Sequence, residues 1–363
     1  MGVALLQSPG QRGGRPLLRP PSIEPVPGRH PGGRLLPGGL QVSDATTFRH
    51  EPVMRDEIVE LFRPVPAGWL VDATVGGGGH SAALLEAHPH LRVLGLDQDE
   101  DALAAARERL APFGDRVRLA HVRFDALGDT VRELNTTPVS GVLFDLGVSS
   151  PQLDRAARGF SYRHEAPLDM RMDRRQRRSA ADIVNDSDER ELARILQQYG
   201  DERFARRIAA AIVAARPVTT TTELADIVRD AIPAPARRTG GHPAKRTFQA
   251  IRIAVNAELD VLPTALDAAI DALQPEGRCA ALAYHSGEDR IVKARFRHHA
   301  TGGWTGPSHL PPPSDVHPAV RLLKAGSWTP SRAESTANPR AASARLRAVE
   351  KLLQPTTTSE APA

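Results

Sequence analysis

Four consecutive glycines stand between an acidic residue and a histidine, in a pattern suited to binding a ligand. The segment is Asp72-Ala73-Thr74-Val75, then Gly76 to Gly79, then His80. An apolar run precedes it and an Ala- and Leu-rich run follows, which predicts a strand, a tight turn and a helix. Glycines allow close backbone approach and leave N–H groups free at the helix start. A second predicted strand ends in Asp97, where a carboxylate can accept hydrogen bonds from ribose hydroxyls. The two features together indicate a nucleotide-like cofactor.

Two cofactors fit this outline. A dinucleotide fingerprint needs G-x-G-x-x-G, and Gly76 and Gly78 satisfy it, but Ser81 occupies the third position. Asp72 would repel a pyrophosphate, whereas S-adenosylmethionine carries a sulfonium and an ammonium and no phosphate. The pattern therefore favours S-adenosylmethionine over a nicotinamide cofactor. A glycine-rich turn without a ligand is the least favoured alternative.

Residues that follow the other predicted strands are candidates for catalysis, because ligands of open α/β sheets bind beyond the carboxyl ends of the strands. Asp145, Ser149 and Ser150 follow one such strand. The segment from Asp145 resembles the motif of amino-group methyltransferases, but only loosely, because a second proline and an aromatic residue are missing. The amine of a base such as cytosine is a weak nucleophile, and fixed hydrogen-bond acceptors at these residues could orient it toward a methyl group. Phe124 follows another strand and either packs on an adenine ring or belongs to the core.

Three further residues have alternative interpretations. Phe160 or Tyr162 could stack on a flipped base, or either could be a core residue. His285 follows the last clear strand, beside Ser286 and two acids, which favours a site role over a structural one.

Carbon-5 methylation of a pyrimidine would need a thiol nucleophile. The chain has one cysteine, Cys279, and it lies within an apolar predicted strand. A small buried residue is the better interpretation, which argues against carbon-5 chemistry.

Alternating helices and strands must position these residues. The first predicted strand lies near Trp69, and the others span residues 92–96, 117–122, 141–146 and 278–284. Helices are predicted between them, and this alternation indicates a parallel, doubly wound α/β sheet. Residues 153–243 lack strand signals and contain helices, one with a buried stripe at Phe204, Ile208 and Ile212. We therefore expect a methyltransferase-type sheet domain at 45–152 plus 244–353, interrupted by a helical insertion at 153–243.

Smaller signals refine this outline. Thr219 to Thr222 before Glu223 predict a capped helix start. A helix is predicted over 248–259, and Pro263 is expected to open the next one.

The two ends of the chain and its composition indicate where disorder is expected and which kinds of site and location are disfavoured. Residues 1–44, rich in Pro, Gly and Arg, and residues 354–363 are expected to be disordered; the first segment is alternatively a basic arm or an artefact of an upstream start codon. One cysteine excludes an intramolecular disulfide and Cys-based zinc clusters. The sequence contains neither a signal peptide nor an apolar run of membrane-spanning length, so a cytoplasmic protein without a membrane partner is expected.

Arginines cluster in and beside the predicted insertion, although the formal net charge is only +4. The group begins with Arg171, Arg174 and Arg175, which are candidate substrate-binding residues. A single basic run is usually a solvated surface, but repetition favours a nucleic-acid face.

Several ordered motifs between about residues 48 and 350 match one family. They include His50-Glu51-Pro52-Val53, Asp72 to Ser81, Gly95 to Asp99, Asp145 to Asp154, Arg158 to Tyr162, Pro167 to Asp173, Ala180 to Asn185, Tyr199 to Ala205, His242-Pro243-Ala244, Arg246 to Ala250 and Asn338-Pro339-Arg340. In these motifs the chain resembles the bacterial 16S ribosomal RNA cytosine-N4 methyltransferases, the MraW or RsmH family.

The resemblance implies a class I, Rossmann-like methyltransferase that modifies N4 of a decoding-centre cytosine in 16S rRNA of the small ribosomal subunit. It places S-adenosylmethionine at Gly78, Gly79, His80, Asp97, Phe124, Asp145 and Gln152, and gives the insertion a role in RNA binding. A non-catalytic RNA-binding or ribosome-assembly factor that retains the pocket is the alternative, and a homodimer is compatible with the sequence.

Two departures from the family pattern stand out. Gly287 replaces a usual Leu, so a looser helix is expected there. Residues 310–313 replace a Cys-containing stretch, so no metal site is expected.

Overall fold

The computed structural model describes residues 52–237, 241–306, 313 and 316–353. The expected disordered ends and most of the 310–313 segment lie outside these residues.

A single seven-stranded sheet organises the chain. Its strands, in chain order, are β1 (Gly68–Asp72), β2 (Leu91–Asp97), β3 (Val117–His121), β4 (Val139–Asp145), β5 (Leu273–Ala283), β6 (Val320–Leu322) and β7 (Arg345–Lys351). The spatial order is β3-β2-β1-β4-β5-β7-β6, with β1 to β5 parallel and β7 antiparallel to both of its neighbours. The predicted parallel sheet is confirmed, with an antiparallel edge that the sequence analysis did not specify.

Fourteen α-helices occur in the described residues. They are α1 (Arg55–Phe62), α2 (Gly79–Ala87), α3 (Glu100–Leu110), α4 (Leu127–Glu133), α5 (Ser150–Asp154), α6 (Ala180–Asp186), α7 (Glu189–Gly200), α8 (Ala205–Ala214), α9 (Thr221–Ala231), α10 (Ala234–Arg237), α11 (Lys245–Asn256), α12 (Glu258–Ala272), α13 (Ser286–Ala300) and α14 (Arg332–Ala337).

The sheet is covered on both faces, because side chains alternate along each strand. Val71 of β1 belongs to a core shared with α4, α12 and α13, whereas Leu70 belongs to a second core shared with α1, α2 and α3. Cys279 of β5 is buried in the first core, and burial raises the pKa of its thiol. This confirms its interpretation as a buried strand residue. Within the described ranges, no helix combines the length and apolar character needed to cross a bilayer.

The helical insertion has a separate core, and that core extends further along the chain than expected. It unites the buried faces of α6, α7, α8 and α9, where Ile208 and Ile212 are fully buried and Phe204 packs at the side. Thr220 caps α9 as expected, accepting from the Glu223 amide. However, Phe248 and Ile251 of α11 pack into the same core. The apolar face of α11 therefore packs on the core of the insertion, and the expected boundary at 243/244 stays a prediction.

A sharp corner separates the insertion from the returning sheet domain. Ala257 adopts a left-handed backbone (φ 52°) between α11 and α12. At this corner the Arg252 guanidinium donates two 2.9 Å hydrogen bonds to the buried Glu258 carboxylate. The predicted helix 248–259 is thus wrong at its end, and Pro263 lies inside α12 instead of opening it. The helix begins earlier than the proline predicts, because the left-handed backbone at Ala257 ends α11 and α12 starts directly after it.

Candidate active site

The glycine turn brings β1, β2 and α2 together. Gly76 (φ 50°) and Gly78 (φ 76°) have left-handed backbones that favour glycine. The Gly76 amide donates a 2.9 Å hydrogen bond to Asp97 at the end of β2. A side chain at Gly79 would meet Pro52 at 2.8 Å. The turn is therefore shaped by conformation at two glycines and by close packing at a third.

Asp72, at the end of β1, is buried and held by neutral donors. The Ser81 hydroxyl donates a 2.6 Å hydrogen bond to one carboxylate oxygen, and the Thr74 amide donates at 3.3 Å to the other. Burial raises the pKa of Asp72 to about 6. Ser81, which broke the dinucleotide fingerprint, thus has its side chain committed to this carboxylate.

Asp97 is fixed by two backbone amides. Gly76 donates to Oδ2, and Asp99 donates at 2.8 Å to Oδ1. Burial raises the pKa of Asp97 to about 7, against these two hydrogen bonds that lower it. In the described residues neither Asp72 nor Asp97 forms an ion pair with Lys or Arg. Each Asp97 oxygen keeps a second lone pair for a ligand hydroxyl.

Asp145, at the end of β4, makes contacts on both carboxylate oxygens. The Tyr284 hydroxyl donates a 2.7 Å hydrogen bond to Oδ1, and His80 Nδ1 lies 3.4 Å from Oδ2. The Asp145 amide donates at 2.6 Å to the Thr74 hydroxyl. The Asp145 side chain keeps 29% exposure, so it is oriented and still accessible.

His80 is buried between Asp145 and the backbone of Val53, whose carbonyl lies 2.9 Å from Nε2. Burial alone would lower the pKa of His80, but the neighbouring Asp145 carboxylate outweighs burial and raises it. The structure therefore brings together five predicted site residues: Gly78 and Gly79 of the glycine turn, His80, Asp97 and Asp145.

Gln152 of α5 is buried and connects two segments. Its Nε2 donates a 2.7 Å hydrogen bond to Asp99, and its Oε1 accepts from the Ser149 amide at 3.0 Å. The Ser149 side chain is half-buried, and Ser150 is the first residue of α5. These contacts give Gln152 a bracing role, while its cofactor contact and the catalytic roles of both serines stay predictions.

The three aromatic candidates have different environments. Phe124 is 8% exposed and packs edge-to-face on Phe144, so much of its ring belongs to the sheet core. Phe160 is 6% exposed and lies in the insertion core. Tyr162 is half-buried and stacks on His242 with ring centroids 4.3 Å apart. The core alternative is favoured for Phe124 and Phe160, and Tyr162 keeps the more accessible ring.

His285 caps a helix in this structure. Its Nδ1 accepts from the Gly287 amide at 3.1 Å, while Glu288 accepts from the backbone amides of Tyr284 (2.7 Å) and His285 (3.2 Å). This capping box begins a fifteen-residue helix, so the looser helix expected at Gly287 is not observed. The geometry favours the structural alternative for His285.

The predicted substrate-binding arginines are only partly free. Arg171 forms a two-point ion pair with Asp169, and Arg175 forms one with Asp173. Arg174 is exposed and has neither a hydrogen bond nor an ion pair through its guanidinium within the described ranges.

The sequence analysis did not identify two residues that lie at or beside the site, Tyr284 and Arg158. Tyr284 directly follows β5, so its position at a strand end was an available signal. Arg158 is 2% exposed and reaches Asp99 at 2.8 Å; its partners lie far apart in sequence, so no local pattern could identify it.

Comparison with known proteins gives a consistent family. Residues 47–352 match the model of the MraW methylase family. A protein of Thermobifida fusca named "Ribosomal RNA small subunit methyltransferase H" is 54% identical over 313 residues, covering 84% of this chain and 94% of the relative. A protein of the same name from Frankia alni is also 54% identical, covering 83% and 95%. Among solved structures, a putative rRNA methylase from Clostridium thermocellum is matched at 13% identity and a TM-score of 0.40, covering 84% of this chain and 99% of that one.

Proposed function

The chain belongs to the MraW methylase family, and from this premise we propose that it is an S-adenosylmethionine-dependent methyltransferase of small-subunit ribosomal RNA that modifies N4 of a cytosine in the decoding centre. The single observation that carries the proposal is the accessible Asp145 carboxylate, fixed beside an acidic pocket at the ends of β1, β2 and β4. The proposed substrate implies a cytoplasmic location, which stays a prediction.

The charge of the pocket fits the cofactor. Asp72 and Asp97 are acids with raised pKa values and no Lys or Arg partner in the described ranges, so a cationic ligand would supply the missing positive charge. Asp97 has acceptor capacity for two ribose hydroxyls. The Gly78–Gly79 backbone and the His80 ring complete the set of residues that would hold it, with the Gly78 amide already donating a 2.8 Å hydrogen bond to the Val75 carbonyl. When bound, S-adenosylmethionine supplies an electrophilic methyl group on a sulfonium.

Asp145 would prepare the nucleophile. Its carboxylate accepts a hydrogen bond from the cytosine amine and increases electron density on nitrogen, which offsets delocalisation of the lone pair into the ring. With Asp145 orienting the amine, the nitrogen lone pair would take the methyl group that the cofactor supplies, the C–S electron pair would remain with the sulfur leaving group, and one N–H proton would leave to water. Cys279 is buried in the core, so a covalent thiol route to carbon 5 is disfavoured.

The test is methyl transfer to small subunits from a strain that lacks this modification. RNA would be digested and analysed by mass spectrometry, with the expected product N4-methylcytosine at one decoding-centre position. Asp145→Ala should lower the transfer rate at least about a hundredfold. Asp129→Asn, at an exposed surface ion pair, is the matched control and should behave like the wild type.

Near-wild-type turnover by Asp145→Ala would overturn the assignment of Asp145. A methylated carbon 5 would overturn the N4 assignment. Binding to small subunits without any methyl transfer, despite measurable cofactor binding, would favour the alternative of a ribosome-assembly factor.

A further inference from the structure

The Tyr284 side chain lies against Asp145, the residue that the proposed function assigns to preparing the nucleophile. Its hydroxyl donates a 2.7 Å hydrogen bond to Asp145 Oδ1. Its ring borders the loop after β4, since a Cβ on Gly147 would stand 3.6 Å from Tyr284 Cδ2. Tyr284 is therefore both a wall of the site and a direct partner of Asp145.

The backbone that presents this hydroxyl is itself clamped. The Glu288 carboxylate is 2% exposed and accepts from the amides of Tyr284 and His285. Because Glu288 also belongs to the capping box of α13, the position of Tyr284 is tied to the start of a fifteen-residue helix. The hydroxyl thus has a fixed origin, as expected for a preorganised hydrogen bond.

The two oxygens of Asp145 are engaged on opposite sides. Tyr284 donates to Oδ1, and His80 faces Oδ2 from α2. A carboxylate held at both oxygens cannot rotate freely about its Cβ–Cγ bond, and a donor on Oδ1 leaves the remaining lone pairs in defined directions. Loss of the hydroxyl would release one of the two restraints.

We propose that Tyr284 is a positioning residue for methyl transfer, which acts by fixing the rotation and the ionised state of the Asp145 carboxylate through its hydroxyl. This inference rests on the proposed function, because Asp145 matters for catalysis only if the chain transfers a methyl group.

The test compares Tyr284→Phe with the wild type in methylation of unmodified small subunits across pH. We expect kcat to fall by roughly tenfold to a hundredfold, as for loss of one hydrogen bond to a charged group, with KM for S-adenosylmethionine close to wild type. The acidic limb of the pH–rate profile should move to higher pH, because the ionised carboxylate loses a donor that favours it.

Other ionisable groups surround this pair and contribute to the profile. They are Asp72 and His80 on the glycine-turn side, Glu288 of α13 and Glu334 of α14. All of them are retained in Tyr284→Phe, so the shift between the two profiles reports on the hydroxyl.

Tyr199→Phe is the matched control. The Tyr199 hydroxyl also donates to an aspartate, Asp260, at 3.0 Å, but at an exposed contact between α7 and α12. Its removal should leave kcat and the acidic limb unchanged. Melting temperature and cofactor affinity of both variants establish that they are folded.

The outcomes separate the two proposals. If the wild type transfers no methyl group, the proposed function and this inference fall together. If the wild type is active and Tyr284→Phe matches Tyr199→Phe in rate and profile, the positioning role alone is overturned. A raised KM for the cofactor with unchanged kcat would also overturn it, in favour of a pocket-wall role.

If Tyr284→Phe fails to fold, difluorotyrosine at the tyrosines provides the second measurement. Its more acidic hydroxyl is a stronger donor, so the acidic limb should move to lower pH; an unmoved limb would overturn the proposal.

Discussion

At the scale of single residues, the site is defined by acids whose charge is not compensated. Asp72 and Asp97 are each satisfied by neutral donors, and burial raises the pKa of Asp72 to about 6 and that of Asp97 to about 7. Both values lie above the 3.8 of an ordinary aspartate, so Asp97 takes up a proton as the pH falls through about 7 and Asp72 as it falls through about 6. A bound cation and ribose hydroxyls favour the ionised form.

Cofactor affinity should therefore depend on pH. Binding lowers the pKa of Asp97, so it releases protons below pH 7 and the affinity rises with pH until about 7. We expect Kd to rise as pH falls below 7, by at most about tenfold per pH unit for one proton. Calorimetric titration of S-adenosylmethionine between pH 5.5 and 8.5 measures this.

The variant Asp97→Asn should bind weakly and lose the dependence between pH 6 and 7. A remaining dependence below about pH 6 would belong to Asp72. Asp129→Asn, at the exposed pair with Arg132, should reproduce the wild-type curve. A wild-type curve that is flat across this range would contradict the role of Asp97.

At the scale of elements, a buried arginine joins the sheet domain to the insertion. Arg158 lies 2.8 Å from Asp99 at the start of α3, and it donates to the carbonyls of Arg171 (3.0 Å) and Met172 (3.2 Å) on the insertion side. Asp99 also donates its amide to Asp97. Asp97 and the first segment of the insertion are therefore connected through Asp99 and the Arg158 guanidinium.

Arg158→Met should destabilise the fold by about 3–5 kcal/mol, because it leaves the buried Asp99 without its cation. Arg155 provides a control, since it pairs with the exposed Asp101 at 2.8 Å and is itself 58% exposed. Arg155→Met should cost less than about 1 kcal/mol. Urea denaturation of both variants tests the difference, and equal costs would mean that the buried pair adds no stability.

At the scale of the whole molecule, basic residues are numerous, and several of them are neutralised by neighbouring acids. The chain has 47 Lys and Arg against 43 Asp and Glu, and many arginines of the insertion pair with acids nearby in sequence. Arg174 is exposed and has no such ion pair within the described ranges. RNA binding should therefore depend on unpaired cations such as Arg174 rather than on net charge.

Arg174→Ala should weaken binding to small-subunit RNA and reduce the slope of log Kd against log salt by about 1. Arg229→Ala is the comparison, since Arg229 already binds Asp226 and Asp230. Filter binding at several KCl concentrations gives both slopes. Identical slopes for the wild type and Arg174→Ala would exclude Arg174 as a phosphate contact.

The sequence by itself determined the parallel sheet, the interruption by helices and the acids at the strand ends. These features depend on local periodicity, on glycines with left-handed backbones and on the rule that parallel strands present their carboxyl ends at one edge. Asp72, Asp97 and Asp145 could be named for this reason.

Only the tertiary structure decided how the acids are held. Tyr284 lies 139 positions from Asp145, and Arg158 lies 59 positions from Asp99. The tertiary structure also showed that α11 packs on the insertion core and that His285 caps a helix. Such pairings depend on the packing of segments that are distant in sequence. An amphipathic pattern predicts that one face of a helix is buried, but it does not predict which element covers that face.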